Sequence, residues 1–257
     1  MTPRLVDAAV RRLRRRDPEP EGPPSPDLGQ VDEANRAIVE RAFPYTMTGE
    51  LRLDATVQAV RYCVARQVPG ALVECGVWRG GSVLAMLLTL QELGVDDRDV
   101  YLFDTFEGMT EPSEHDTTEG APAALETWND ARARGERPWA EVFGRDVFDE
   151  DSVRATVLQS GYPEKRIHLV KGPVEETLPY AAPAGLALLR LDTDWYESTR
   201  HELLHLYPRL ADGGVLIVDD YGHWRGARRA VDEYFASEAP PLLLNRIDYT
   251  GRIAIKR

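Results

Sequence analysis

The stretch ALVECGVWRGGSVLAMLLTLQELG, residues 71–94, decides the fold. A five-residue apolar run, 71–75, leads into a turn carrying Gly76, Gly80 and Gly81, and then into an apolar helix over 82–94 that ends at Gly94. A short strand, a glycine-rich turn and a helix form the opening of a βαβ unit. Glycines suit such a turn because the chain bends sharply and a ligand must come close to the backbone. The helix start adds unpaired N–H groups and the positive end of a dipole, a seat for an anionic group such as a carboxylate.

Outward from this unit the alternation continues. VYLFD (100–104), RIHLVKG (166–172), ALLRLD (187–192) and VLIVDD (215–220) read as further strands, and helices over about 196–210 and 224–237 follow the last two. Upstream, helices are expected over about 30–42 and 50–66, the second on the apolar positions Leu51, Leu53, Val57, Val60, Tyr62 and Val64. LLLNRI (242–247) and RIAIK (252–256), joined through a Tyr-Thr-Gly turn, close the sheet as an antiparallel hairpin. The expected architecture is α/β: a mostly parallel sheet with a C-terminal antiparallel hairpin and N-terminal helices. Residues 110–160 break the alternation. They are polar, carry Trp128 and Trp139, and read as a helical insertion outside the sheet, where substrate lids commonly grow.

Residues 17–29 (DPEPEGPPSPDLG) read as an extended linker. It joins an N-terminal arm containing Arg4, Arg11, Arg12, Arg14, Arg15 and Arg16 to one domain over 30–257. Asp17 and prolines follow these charges, where a signal peptide would place an apolar core. A surface or oligomer-contacting helix is the expectation for the arm, and a homo-oligomer, dimer or higher, for the protein. The net charge of −12 is opposite to what general nucleic-acid binding requires. No apolar run is long enough to span a bilayer, so no membrane partner is expected. Cys63 and Cys75 form neither a disulfide scaffold nor a metal-type CxxC, and they fit buried residues of a reducing cytoplasm.

Two cofactor classes compete for the glycine turn. A dinucleotide site wants GxGxxG, whereas the spacing from Gly76 to Gly81 is GxxxGG. Glu74 at the strand end would repel a pyrophosphate, but it can attract the cationic amino group of S-adenosylmethionine, so the acid argues for the sulfonium cofactor. Asp104, closing the second strand in FDTFEG, can accept hydrogen bonds from ribose hydroxyls of either cofactor. Phe106 can pack on the adenine.

Strand ends also gather acids. Leu191-Asp192-Thr193-Asp194 ends the fourth strand and Asp219-Asp220 the fifth, and in an open parallel sheet these ends face the ligand crevice. Asp192, Asp219 and Asp220 together repel one another, so one or more is protonated or a cation neutralises them. A hard divalent ion with oxygen ligands, most simply Mg²⁺, fits the donors. The competing reading is that Asp194 and one of the Asp219-Asp220 pair cap helices. A divalent ion lowers the pKa of a bound hydroxyl. Asp192 is the first candidate for the base that takes its proton, and His223 the second.

ECGVWRGGS (74–82), FDTFEGM (103–109), LRLDTDWYEST (189–199) and PRLADGGVLIVDDY (208–221) resemble the macrocin O-methyltransferase, or TylF-like, family, as does FPYTMTG (43–49) ahead of the first strand. The likeness runs from about residue 43 to 235, and the paired LDxDxYxST and GGxxxxDDY blocks are its most specific part. The resemblance implies a class I methyltransferase (Rossmann-like) fold, S-adenosylmethionine as donor and Mg²⁺ as metal. As acceptor it implies a sugar hydroxyl, here a deoxysugar, on a small-molecule glycoside of antibiotic biosynthesis. Carried over by position, it implies Glu74, Gly76, Ser82 and Asp104 as cofactor residues, with Thr46 and Met47 lying over the cofactor; Gly80 of the glycine turn is read as a cofactor residue with them. Asp192, Asp219 and Asp220 match the metal acids, and Asp192 the base. Trp128, Trp139 and Trp195 can stack on sugar or aglycone. A metal-dependent catechol or phenol O-methyltransferase is the main alternative, and a non-catalytic nucleoside-binding protein of the same fold the other.

Overall fold

The computed structural model describes residues 27–139 and 149–257. The Arg-rich arm, residues 17–26 of the linker and residues 140–148 of the insertion lie outside the described residues, and so do the expectations attached to them.

Seven strands form one sheet: β1 (Ala71–Cys75), β2 (Val100–Asp104), β3 (Ile167–Lys171), β4 (Leu186–Leu191), β5 (Leu210–Val218), β6 (Asn245–Arg246) and β7 (Arg252–Ile255). Their order is β3-β2-β1-β4-β5-β7-β6. The first five run parallel, and β7 is antiparallel to both β5 and β6, as the hairpin reading requires. β1 and β4 are buried at every residue, the continuous apolar run demanded of a strand covered on both faces. The chain progresses outward from β1 in one direction and returns through β4 in the other. The crevice beyond the carboxyl ends of β1 and β4 is therefore the switch point at which open α/β sheets bind ligands.

Eight α-helices surround the sheet among the described residues: α1 (Arg36–Ala42), α2 (Glu50–Ala65), α3 (Gly81–Glu92), α4 (Ala124–Ala133), α5 (Glu150–Leu158), α6 (Val174–Ala181), α7 (Tyr196–Leu206) and α8 (Arg225–Ser237). Side chains alternate across β1, so Leu72 joins one apolar core with Leu87, Val157 and Ile217, while Val73 joins another with Phe103, Leu178 and Leu203. A third core, with Val39, Leu53 and Leu84, docks α1 and α2 on α3. No helix among the described residues is long and apolar enough to cross a membrane.

Several elements depart from the sequence reading: β5 begins at Leu210 rather than 215, and the strand expected over 242–247 shortens to Asn245–Arg246. No helix was expected at 174–181, where Pro179 stands in the helix interior. Burial of Val174 and Leu178 against the sheet outweighs the lost backbone hydrogen bond. The end of the insertion is not a detached lid either, since α5 places Val153 and Val157 fully inside the first core.

Candidate functional site

A cleft of about 690 Å³ opens at the switch point, within the roughly 300–1,000 Å³ usual for small-ligand sites. Gly76, Ser82, Glu74 and Asp104 line one half, and Asp192, Asp194, Asp219 and Asp220 the other; Thr46, Met47 and Thr48 cross the opening.

In the first half the glycines answer to protein contacts as much as to a ligand. Gly76 has φ +78°, and a Cβ there would lie 2.1 Å from the Asp192 carbonyl oxygen, so β1 and β4 approach this closely only with glycine. At Gly81 a Cβ would lie 2.6 Å from the Tyr45 carbonyl oxygen, because the segment carrying Thr46 and Met47 passes directly over the helix start. Gly80 is the left-handed N-cap of α3 and does not line the cleft; its Cβ would press on Val157 and Val153.

Asp104 organises the turn. Its Oδ2 accepts from the Val77 amide at 2.7 Å and the Trp78 amide at 3.3 Å, and its Oδ1 from the Phe106 amide at 2.8 Å. Each carboxylate oxygen has two lone pairs, so the two amides fill Oδ2, while Oδ1 keeps one further lone pair, approached by the Thr105 hydroxyl at 3.4 Å. Phe106 corrects the sequence reading. It is 1% exposed, packs in the first core and does not line the cleft, so it is no adenine platform. The Asp104–amide bond and a left-handed φ of 51° turn its ring inward.

The least anticipated side chain is Arg190, wholly buried on β4. Arg190 lies directly across from Glu74 in the β1–β4 register, and its Nη1 donates to Glu74 Oε1 and to Asp192 Oδ2, each at 2.5 Å, while its Nη2 donates to Asp219 Oδ1. Glu74 is thus not the free acid that the sequence suggested. Burial pushes its carboxyl up to about 8 despite the opposing charge of Arg190, and its Oε2 has no hydrogen-bond partner. For Arg190 itself, burial pulls its pKa down, but the charges of Asp192, Asp219 and Glu74 override that and hold it well above the ordinary value.

In the acidic half, Asp192, Asp219 and Asp220 offer oxygens that all lie within 4.8 Å of one another. Arg52 adds a second cation, ion-paired to Asp219 and to Asp248, and Thr48 donates its hydroxyl to Asp219 at 3.2 Å. The mutual repulsion expected of the three acids is therefore met in part by two guanidinium groups. Burial and like charge still raise Asp219 to about 6 and push Asp220 well up, and Asp220 Oδ2 is buried with no partner. The helix-capping alternative fails, because α7 and α8 begin after Trp195 and Trp224 with no side-chain cap bond. Asp194 instead accepts from the Trp224 indole at 2.8 Å, holds a left-handed φ of 69°, and is raised to about 8 by burial and by the charges of Asp192 and Asp219.

His223 lines the cleft and packs edge-on against Trp224 at 5.0 Å, its side chain hydrogen-bonds the Tyr249 hydroxyl at 3.4 Å from Nδ1, and burial lowers its pKa. Of the three tryptophans singled out, Trp139 alone lines the cleft. Trp195 is 2% exposed and its indole donates to the Thr110 carbonyl, while Trp128 packs behind Trp139 at 6.2 Å between centroids. Trp224, which the sequence reading passed over, lines the cleft against Trp195 at 4.9 Å. The signal for Arg190 was present: an arginine inside the apolar run LALLRL of a central strand is anomalous unless it is paired with buried acids.

Against known proteins, residues 26–255 match the family profile described as Macrocin-O-methyltransferase (TylF). The demethyldecarbamoylnovobiocin O-methyltransferase of Streptomyces niveus is 35% identical over 195 residues, 76% of this chain and 69% of that protein. The 8-demethyl-8-(2,3-dimethoxy-alpha-L-rhamnosyl)-tetracenomycin-C 4'-O-methyltransferase of Streptomyces olivaceus is 34% identical over 222 residues, 85% of this chain and 79% of that protein. Among solved structures, the O-methyltransferase NovP superposes with a TM-score of 0.70 at 33% identity, covering 82% of both chains. The 3-2-1-4-5-7-6 sheet, the crevice at its switch point and these matches together establish that the chain belongs to the macrocin O-methyltransferase family and is an O-methyltransferase of the class I fold.

Proposed function

We propose that the protein transfers the methyl group of S-adenosylmethionine to a deoxysugar hydroxyl of a glycosylated natural product, with a divalent cation, most simply Mg²⁺, held by Asp192, Asp219 and Asp220. The observation that carries this reading is the meeting in one cleft of a nucleoside-type half, Glu74 and Asp104 around the glycine turn, and an acidic half with an unsatisfied buried oxygen.

The residues fit both groups. Glu74 Oε2, unpartnered, suits the cofactor's ammonium, and the one lone pair of Asp104 Oδ1 left by the backbone amides suits a ribose hydroxyl that displaces Thr105. Ser82 in the first turn of α3 brings unpaired backbone N–H groups to the cleft, which suits the cofactor's carboxylate. In the acidic half, Asp192, Asp194, Asp219 and Asp220 present more carboxyl groups than Arg190 and Arg52 can pair, burial and mutual repulsion hold Asp194, Asp219 and Asp220 above the ordinary carboxylate range, and Asp220 Oδ2 lacks any donor. A hard cation suits that excess. When bound, the cofactor supplies an electrophilic methyl group and the cation lowers the pKa of an acceptor hydroxyl.

Asp194 is the better base. Asp192 spends an oxygen on Arg190 and belongs to the metal-binding set, which weakens it as a proton acceptor. Asp194 stands beside that set, aimed by the Trp224 indole, in a left-handed conformation that costs on the order of 1–3 kcal/mol and is typical of functional positions. Trp139 and Trp224 give the acceptor apolar faces on which a sugar or aglycone can lie.

Calorimetry tests the cofactor half. The protein is expected to bind S-adenosylhomocysteine and not NAD. Asp104→Ala should weaken that binding by roughly 1.5–3 kcal/mol, the worth of hydrogen bonds to a charged group. Unchanged affinity in this variant, or binding of NAD, would remove Asp104 and the turn from the cofactor site.

A further inference from the structure

The chemistry of the two half-sites meets in one side chain. Period-two alternation puts Arg190 and Asp192 on the same face of β4, with Glu74 directly opposite Arg190 on β1. On β5 the residue opposite Arg190 is Ile217, so Asp219 follows two positions on and points the same way. A single guanidinium therefore reaches the cofactor-side acid Glu74 and the metal-side acids Asp192 and Asp219. It is 0% exposed, so no water shares the load, and its Nε has no partner. Removing a buried charge from such a cluster leaves the others uncompensated. Arg52 cannot replace it, since Arg52 reaches Asp219 and Asp248 but not Glu74.

We infer that Arg190 is a positioning residue that couples the cofactor and metal sites, dividing one positive charge between Glu74 and the Asp192–Asp219 pair. This rests on the proposed Mg²⁺ and S-adenosylmethionine sites. A cation at the aspartates draws on the oxygens that Arg190 contacts and leaves its charge to Glu74. A better-neutralised Glu74 attracts the cofactor's ammonium less. Coupling of binding free energies is reciprocal, so the cofactor must weaken the cation by the same factor. Arg190 touches neither acceptor nor reacting atoms in this account.

Calorimetry with S-adenosylhomocysteine and Mg²⁺ on the whole chain, at a pH above the value of about 8 to which burial pushes Glu74 so that this acid is ionised, decides it. The demethylated cofactor is the right probe because its sulfur carries no charge, which keeps direct repulsion by the metal small. In the wild-type protein, saturating Mg²⁺ is expected to weaken S-adenosylhomocysteine by about fivefold or more, the low end of measured couplings. In Arg190→Lys, whose single ammonium cannot span both groups, the shift should fall to within about twofold, whatever the change in melting temperature. A merely structural arginine would lower stability and leave the coupling as it was. Should Arg190→Lys fail to fold, the isosteric Glu74→Gln carries the test. It leaves the whole charge of Arg190 on the aspartates, and Mg²⁺ should bind about fivefold more weakly although Glu74 is not one of its ligands. Mg²⁺ that binds without changing S-adenosylhomocysteine affinity, a shift that persists in Arg190→Lys, or an unchanged Mg²⁺ affinity in Glu74→Gln overturns the coupling. Absence of any Mg²⁺ binding overturns the metal site and the coupling together.

Discussion

Protein stripped of divalent cations with EDTA is expected to lose methyl transfer while binding S-adenosylhomocysteine at least as tightly as before, and added Mg²⁺ should restore turnover. The separation follows from the layout. In the proposed arrangement Glu74, Asp104 and the glycine turn serve the cofactor, while the metal acids Asp192, Asp219 and Asp220 form a separate cluster of the same cleft that touches the cofactor side through Arg190. Without a cation, the acceptor hydroxyl keeps an alcohol's high pKa, and a carboxylate base is far too weak to remove its proton in advance. Lowering that pKa is the cation's part, and its effect on bound water alone is many units. Asp219→Asn and Asp220→Asn should raise the Mg²⁺ concentration needed for half-maximal rate. Each keeps the side-chain volume and removes one charge from the set. Full activity in excess EDTA would take the acidic triad out of the mechanism.

The second large effect is expected at Asp194. Asp194→Asn should cut kcat by about 10²–10⁴, the usual contribution of a positioned general base, with little change in cofactor affinity. The amide can still accept the Trp224 indole hydrogen bond, so the loop geometry should survive. His223→Gln provides the comparison. His223 contacts only Tyr249 among the described side chains with a hydrogen bond, and its loss should cost less than about tenfold if it has no proton-transfer role. Measured kcat values in which His223→Gln falls further than Asp194→Asn would move the base to the histidine.

Most of the fold was legible because the strands are apolar runs of fixed length and the turns are marked by glycine. The strand order was not legible in this way, because parallel βαβ connection permits more than one order of the same strands. Helix α6 was hidden by Pro179, since its stability comes from burying Val174 and Leu178 rather than from local preference. In the site, the acids at strand ends were legible from position alone, because Asp104, Asp192, Asp219 and Asp220 each close or follow a strand. What neutralises them was not. Arg52 comes from α2, more than a hundred residues from Asp219, and only the folded register brings it there. Phe106 was misread for the opposite reason: a loop aromatic beside a cofactor acid looks exposed, but the backbone bond to Asp104 turns it into the core. Asp194 was read as a helix cap and Trp224 was passed over, because their relation lies in the 2.8 Å bond between them, across 30 positions of sequence.

The most direct measurement of the central claim is product analysis with labelled S-adenosylmethionine and Mg²⁺ over a panel of acceptors. The panel holds glycosides carrying a vicinal diol on a deoxysugar, the analogues lacking one of the two hydroxyls, and free catechols. Mass spectrometry is expected to find one methyl group on a sugar oxygen, with the single-hydroxyl analogues reacting much more slowly and the catechols poorly. Methylation of catechols faster than of every glycoside would contradict it and make the protein a phenol methyltransferase instead.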